Sequence, residues 1–202
     1  MPVFESVLIT TVFIVGASIV FSTIKIGISP MPSSKKAYQA MITLADETGT
    51  GPIYDLGSGW GSLVIRLARK YPDRQIVGYE LSIFPWLITM IIKRILGLSN
   101  LVVYREDFLK ADLSGASVII CYLFPTAIEA IKSKLYLGKG NLRFIISNNF
   151  ALPSYQASKQ ASKQASKQAS KQASKVVQLN DFYKSPVYLY RMTLLTTQVY
   201  TS

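Results

Sequence analysis

The sequence predicts an α/β fold, a mostly parallel sheet with helices on both faces, preceded by one membrane-spanning helix. Three observations predict it. Ile53-Tyr54-Asp55-Leu56-Gly57-Ser58-Gly59-Trp60-Gly61-Ser62-Leu63 joins a short apolar strand to three alternating glycines and then to a helical pattern. Four more strand signals follow it, alternating with helical segments, and a hairpin signal ends the series. Ser6 to Ile24 is a stretch of 19 residues without a charge, close to the roughly 20 that cross a bilayer core.

The first element is that apolar stretch, bracketed by Glu5 and Lys25. It lacks the basic leader and the short apolar core of a cleaved signal peptide. Residues 1–29 are therefore expected to form a membrane anchor, and residues 30–202 one folded domain. Lys25, Lys35 and Lys36 follow the span, and no Lys or Arg precedes it. Positive charge stays inside, so the domain is expected on the cytoplasmic side. Pro30 and Pro32 then forbid a continuing helix. Ser33 or Ser34 can cap the next one, which runs through Ala37, Met41 and Leu44 to Gly49-Thr50-Gly51.

The first strand, Pro52 to Leu56, leads into the glycines. Leu63, Val64, Leu67 and Ala68 then share one helical face and Arg66, Arg69 and Lys70 the other. A strand, a glycine turn and a helix open a nucleotide crevice, because glycine accepts positive φ and lets backbone approach a ligand. Arg74 to Glu80 is the second strand, and Glu80 stands about 20 residues past the loop, where a carboxylate suits ribose hydroxyls. The spacing Gly57-x-Gly59-x-Gly61 differs from the G-x-G-x-x-G of dinucleotide sites, and Asp55 just before it would repel a phosphate. A cofactor with a ribose, an ammonium and no phosphate fits better. S-adenosylmethionine has that composition.

An apolar helix, Leu87 to Leu96, stops at Gly97 before a third strand, Leu101 to Tyr104. At its end Asp107 can accept from an adenine amine while Phe108 packs on the ring; Asp107 can equally cap a turn from Leu109. Ala116 to Tyr122 is apolar throughout, as a central parallel strand is. Cys121 reads as a buried strand residue. A helix from Thr126 to Leu135 and a fifth strand from Leu142 to Asn148 follow. Ligands in such sheets bind at the carboxyl ends of strands, so Asp55, Glu80, Asp107, Tyr122 and Asn148 converge on one rim.

Gln156 to Lys175 is five copies of Gln-Ala-Ser-Lys with no apolar stripe, read as a surface insert without chemistry. Val176 to Tyr183 and Val187 to Met192 then form the hairpin, so the insert separates strands five and six. Histidine is absent and Cys121 is the single cysteine, which excludes imidazole bases, Ser-His-Asp triads and structural zinc, so no metal is expected. The net charge is +11, of which the insert carries five, leaving little ground for a nucleic-acid partner.

Asp55-Leu56-Gly57-Ser58-Gly59-Trp60-Gly61 resembles motif I of the class I S-adenosylmethionine-dependent methyltransferases, whose fold is a Rossmann-like seven-stranded sheet. The resemblance implies cofactor contacts from Asp55, Gly57, Ser58, Gly59, Gly61, Glu80, Asp107 and Phe108. It also implies that the segment before the first strand either folds over the cofactor or is a plain linker. The span, Pro30-x-Pro32-Ser33-Ser34-Lys35 and the small domain are similar to membrane-anchored protein-lysine methyltransferases of mitochondria and bacteria. A protein substrate near a membrane, here the bacterial inner membrane, is the implied partner. Cys121-Tyr122-Leu123-Phe124-Pro125 stands where methyltransferases of planar nitrogens carry Asn/Asp-Pro-Pro-Tyr, which speaks against nucleic-acid bases and glutamine. Tyr122 is the candidate catalytic residue, and Asn148 stands beside it to orient an amine. A lipid or quinone-like acceptor, or a non-catalytic membrane scaffold, remain alternatives.

Overall fold

A computed structural model describes residues 2–26, 33–123, 125–137, 141–152, 173–180 and 185–192. The elements run α1 (Pro2–Ile26), α2 (Lys35–Asp46), β1 (Ile53–Leu56), α3 (Ser62–Lys70), β2 (Ile76–Tyr79), α4 (Ile83–Ile95), β3 (Leu101–Tyr104), β4 (Val118–Cys121), α5 (Pro125–Leu137), β5 (Phe144–Asn148), β6 (Lys175–Gln178) and β7 (Pro186–Arg191). Their strands form one seven-stranded sheet in the order β3-β2-β1-β4-β5-β7-β6. The first five are parallel, and β7 enters antiparallel between β5 and β6. The reversal of winding falls between β1 and β4, so a crevice opens at their carboxyl ends.

Alternation along the strands sorts two apolar layers. Ile53, Ile76, Val118, Ile120 and Ile146 pack with Leu44 of α2 and Leu63, Val64 and Leu67 of α3. Leu56, Val77, Ile119, Cys121 and Ile145 pack on the other side with Ile128 and Ile131 of α5. Cys121 is buried, as expected, and burial pushes its thiol up to about 12. α2 starts where Ser34 accepts the Ala37 N–H at 3.1 Å. Its far end is tied down by the buried Arg74, which donates through Nε to Gly51 O at 2.8 Å and through its terminal nitrogens to Ala45 O and Thr48 Oγ1.

Several boundaries differ from the sequence expectation. α4 begins at Ile83 rather than Leu87, because Ser82 supplies the extended residue ahead of it. The strand expected over Val176–Tyr183 ends at Gln178; residues 181–184 lie outside the described residues. The last repeat copy is not a mere insert. Ala173 packs against the α5-side core, the Ser174 N–H donates to Leu189 O at 2.8 Å, and Lys175 opens β6 and pairs with Glu47. Residues 156–172 of the repeat lie outside the described residues.

The N-terminal stretch is helical, but among the described residues no helix is long and apolar enough to cross a membrane. The structure thus gives the α/β sheet without supporting a transmembrane α1.

Candidate functional site

The crevice is built by the turn after β1. Gly57, Gly59 and Gly61 all have positive φ, at 84°, 54° and 76°, the region L side chains avoid. Two backbone bonds lay the turn across β2: Gly57 N–H and Ser58 N–H both donate to Tyr79 O, at 3.0 and 2.8 Å. A Cβ built on Gly57 or Gly59 would meet nothing within 4 Å, so both face open space that a ligand's surface can fill.

Glu80 locks the loop from the next strand. Its Oε2 accepts the Gly59 N–H at 2.9 Å and its Oε1 the Ser82 N–H at 2.7 Å. A carboxylate oxygen has a second lone pair, so each remains able to accept a ribose hydroxyl. The sequence expectation is that Glu80 meets a ribose; the structure shows it shaping the glycine cradle. Ser58 packs over β2 where Gly78 leaves room, since a Cβ there would lie 3.0 Å from Ser58 Oγ. That Oγ is buried with no hydrogen-bond partner among the described residues. A buried hydroxyl without a partner is uncommon, and a bound polar group is one way to satisfy it.

Asp55 closes the bottom of the crevice. Burial, with the charge of Glu80 adding to it, pushes its carboxyl up to about 7. Beside it stands Tyr38 of α2, a residue the sequence reading missed. Burial raises the Tyr38 phenol and Asp55 adds to that, while the Ser62 and Ser33 hydroxyls and Arg66 pull the other way. Tyr38 sits one turn into the helix that Ser34 caps, a signal available in the sequence but not used. Tyr38 and Ser33 stand beside Asp55; residues 27–32 of the segment before β1 lie outside the described residues.

Asp107 does cap the turn after β3, its Oδ1 accepting the Leu109 N–H at 2.9 Å. Its other oxygen has no partner among the described residues and stays free for an adenine amine. Phe108 does not line the rim. It is 2% exposed, in the core with Leu56, Val77 and Tyr79, and supports the rim from beneath. An aromatic row lies on that side instead, with Tyr79 stacked on Tyr104 at 5.6 Å. Tyr122 follows β4 and stacks on Phe150 at 6.1 Å and 21°.

These groups suit S-adenosylmethionine: the glycine cradle and Ser58 Oγ for its body, Glu80 for the ribose, Asp55 for the ammonium, Asp107 for the base. Among the described residues, no cluster of three or more metal-ligating side chains occurs.

Comparison with known proteins agrees. The family model described as ANTKMT methyltransferase domain matches residues 55–160. A protein-lysine N-methyltransferase of Saccharolobus islandicus (strain REY15A) is 27% identical over 108 residues, covering 52% of this chain and 66% of that protein. The chain therefore spans just under two thirds of that relative's length. An RNA methyltransferase from Salinibacter ruber in complex with S-adenosyl-L-homocysteine superposes with TM-score 0.62 at 24% identity, over 80% of this chain and 94% of that one. Magnesium protoporphyrin IX methyltransferase from Synechocystis PCC 6803 with bound SAM superposes with TM-score 0.56 at 17% identity, over 78% of each chain. At those identities the structural likeness speaks for the fold. The family match opens at Asp55 and runs over the glycine loop, Glu80 and β5. The chain belongs to the ANTKMT methyltransferase domain family, within the class I S-adenosylmethionine-dependent methyltransferases.

Proposed function

We propose that this protein transfers a methyl group from S-adenosylmethionine to the side-chain amine of a protein lysine. The observation that carries it is the crevice after β1, where an open glycine cradle, an unsatisfied Ser58 Oγ and a buried Asp55 meet. The likeness to the Saccharolobus protein-lysine N-methyltransferase favours lysine as acceptor. So does the Tyr122–Phe150 stack, whose ring faces suit a cation entering the site.

When bound, the cofactor supplies a methyl group on a cationic sulfur, which keeps the bonding electron pair as the new nitrogen–carbon bond forms. The chain's own residues position and dehydrate. Asp55 and Glu80 fix the ammonium and ribose, and the wall made by Tyr38 and Ser33 shields the crevice from water. A lysine amine has an unperturbed pKa near 10.4 and must shed a proton to water before it can react. Desolvation lowers that value, so removal from water once inside the site favours the reactive form. Tyr122 bears on this as a ring that orients the amine.

The test is the full chain with methyl-labelled cofactor, offered poly-L-lysine and, separately, phospholipid vesicles containing a quinone. Label on poly-L-lysine, recovered as methyllysine after acid hydrolysis, supports the reading. Label in the lipid fraction, or in neither, sinks it.

The same reading places α1 at a membrane, with the domain on the cytoplasmic side of a bacterial inner membrane. Its support is the helix itself: Val3, Phe4, Val7, Leu8, Ile9, Val12, Phe13 and Ile14 are all exposed, an apolar surface that water disfavours. Fractionated cells should hold the full chain in a membrane pellet that resists carbonate extraction. Recovery in the supernatant would overturn the placement.

A further inference from the structure

The end of β5 carries a feature that cofactor binding does not explain. Asn148 is 2% exposed. Its Nδ2 donates to Ser33 Oγ at 3.2 Å, but its Oδ1 has no hydrogen-bond partner among the described residues. An amide oxygen left bare at that depth has given up its hydration with nothing in return. The backbone beside it is strained. Asn149 has φ 68°, and the Phe150 N–H closes a three-residue turn on Asn148 O at 2.9 Å. Such turns are rare, and this one is held on both sides. The Asn149 N–H donates to Pro186 O at 2.8 Å, and Ser147 Oγ donates to Phe150 O.

Position gives the bare oxygen its meaning. Asp55 aligns with Ile120 of β4, and Ile120 with Ile146 of β5. Asn148 is two residues past Ile146, so it shares Asp55's face of the sheet. It lies two strands away, roughly 10 Å sideways at the usual strand spacing. The Tyr122–Phe150 stack stands at the same strand ends, because the turn after Asn148 delivers Phe150 to it. Ser33, which holds the amide by its nitrogen, belongs to the wall that Tyr38 forms over Asp55.

We propose that Asn148 is the residue that positions the methyl acceptor. Its Oδ1 takes one N–H of an incoming primary amine and turns the nitrogen lone pair toward the glycine loop. This rests on the lysine reading above and names the group that orients the lysine. A neutral amide suits the task better than a carboxylate. It accepts the N–H without favouring the charged ammonium, whereas a negative charge there would keep the amine protonated.

The test uses the full chain with methyl-labelled cofactor and poly-L-lysine as amine probe, comparing the parent with Asn148→Leu and Asn148→Asp. Asn148→Leu should lose tenfold or more in kcat/KM for the probe while the cofactor Kd, read by calorimetry, stays within about twofold. Asn148→Asp can accept from the Ser33 hydroxyl in place of donating to it, yet should need a higher pH for the same rate, a displacement that a purely structural role would not produce. Should the leucine variant fail to fold, the pH profile of the aspartate variant decides alone. Unchanged kcat/KM and pH profile in the variants overturn the proposal, and so does a parallel loss of cofactor affinity in both. A parent that binds cofactor but never labels poly-L-lysine overturns the lysine reading itself, and this proposal with it.

Discussion

Gly61→Ala should lower the melting temperature by about 5–20 °C and abolish cofactor binding, measured by scanning calorimetry and by titration with S-adenosylmethionine. Two effects combine. Gly61 has φ 76°, and holding an L residue there costs about 1–2 kcal/mol. The added Cβ would also lie 2.5 Å from Thr89 Cγ2 and 2.6 Å from its Oγ1. Thr89 cannot turn aside freely, because it is fully buried and its hydroxyl donates to Pro85 O at 2.9 Å. Overpacking of that kind costs about 1–3 kcal/mol. Together that is about 2–5 kcal/mol, and for a chain of this size each kcal/mol moves the midpoint by about 2–4 °C. Gly59→Ala is the matched comparison. Its φ is 54° but its Cβ meets nothing within 4 Å, so it should spare most of the stability and still obstruct the cradle. Equal melting temperatures for Gly61→Ala and the parent would refute the packing argument.

The second large effect is set by pH. Burial pushes the Asp55 carboxyl up to about 7 in the fold, against about 3.9 in the unfolded chain. Its folded value is the higher one, so its contribution to stability is full below about pH 4. That contribution is lost as pH rises toward 7, and above 7 the fold carries a buried charge. Three units correspond to about 4 kcal/mol as an upper figure. Asp55→Asn should flatten this dependence and make the ligand-free protein more stable than the parent at pH 8. The cofactor reverses the preference, since its ammonium favours the ionised carboxylate. Parent affinity should therefore rise between pH 5.5 and 7.5, with protons released in that window. The asparagine variant should bind weakly at both values. Calorimetry in two buffers of different ionisation enthalpy reads the proton count, and a count near zero across the window would contradict the assignment.

What the sequence disclosed was local. The turn after β1 was readable because its glycines, its preceding carboxylate and the amphipathic α3 are consecutive in the chain. Glu80 was readable by its count from that turn, but its grip on the Gly59 N–H was not. That bond joins residues 21 positions apart, and composition says nothing about it. The seven strands and the mostly parallel sheet followed from alternation with helices and a terminal hairpin; their order, β3-β2-β1-β4-β5-β7-β6, needed the structure. Phe108 was misplaced for a general reason. An aromatic after a strand-end carboxylate points to either side of a sheet, and only the packing with Leu56 and Val77 decides which. Tyr38 was hidden because its neighbours Asp55 and Ser62 come from β1 and α3. Asn148 was legible as a rim residue, but its bare oxygen and its bond to Ser33, 115 positions away, were not. The N-terminal stretch read as a full membrane span from composition alone. Among the described residues no helix is long and apolar enough to bear that out.

The last repeat copy has a consequence for how this chain can vary. The sheet takes three residues from it: Ala173 for the core, Ser174 for two hydrogen bonds to β7 and Lys175 for Glu47. All five copies end in the same Ala-Ser-Lys. Whichever copy stands last delivers those residues to the same places. Gain or loss of whole units, as replication slippage on a repeated message produces, leaves β6 with an unchanged partner for β7. A change of one or two residues inside Ala173–Lys175 would instead move these side chains off their partners. The fold therefore depends on the last copy's Ala-Ser-Lys and on where it stands before Val176.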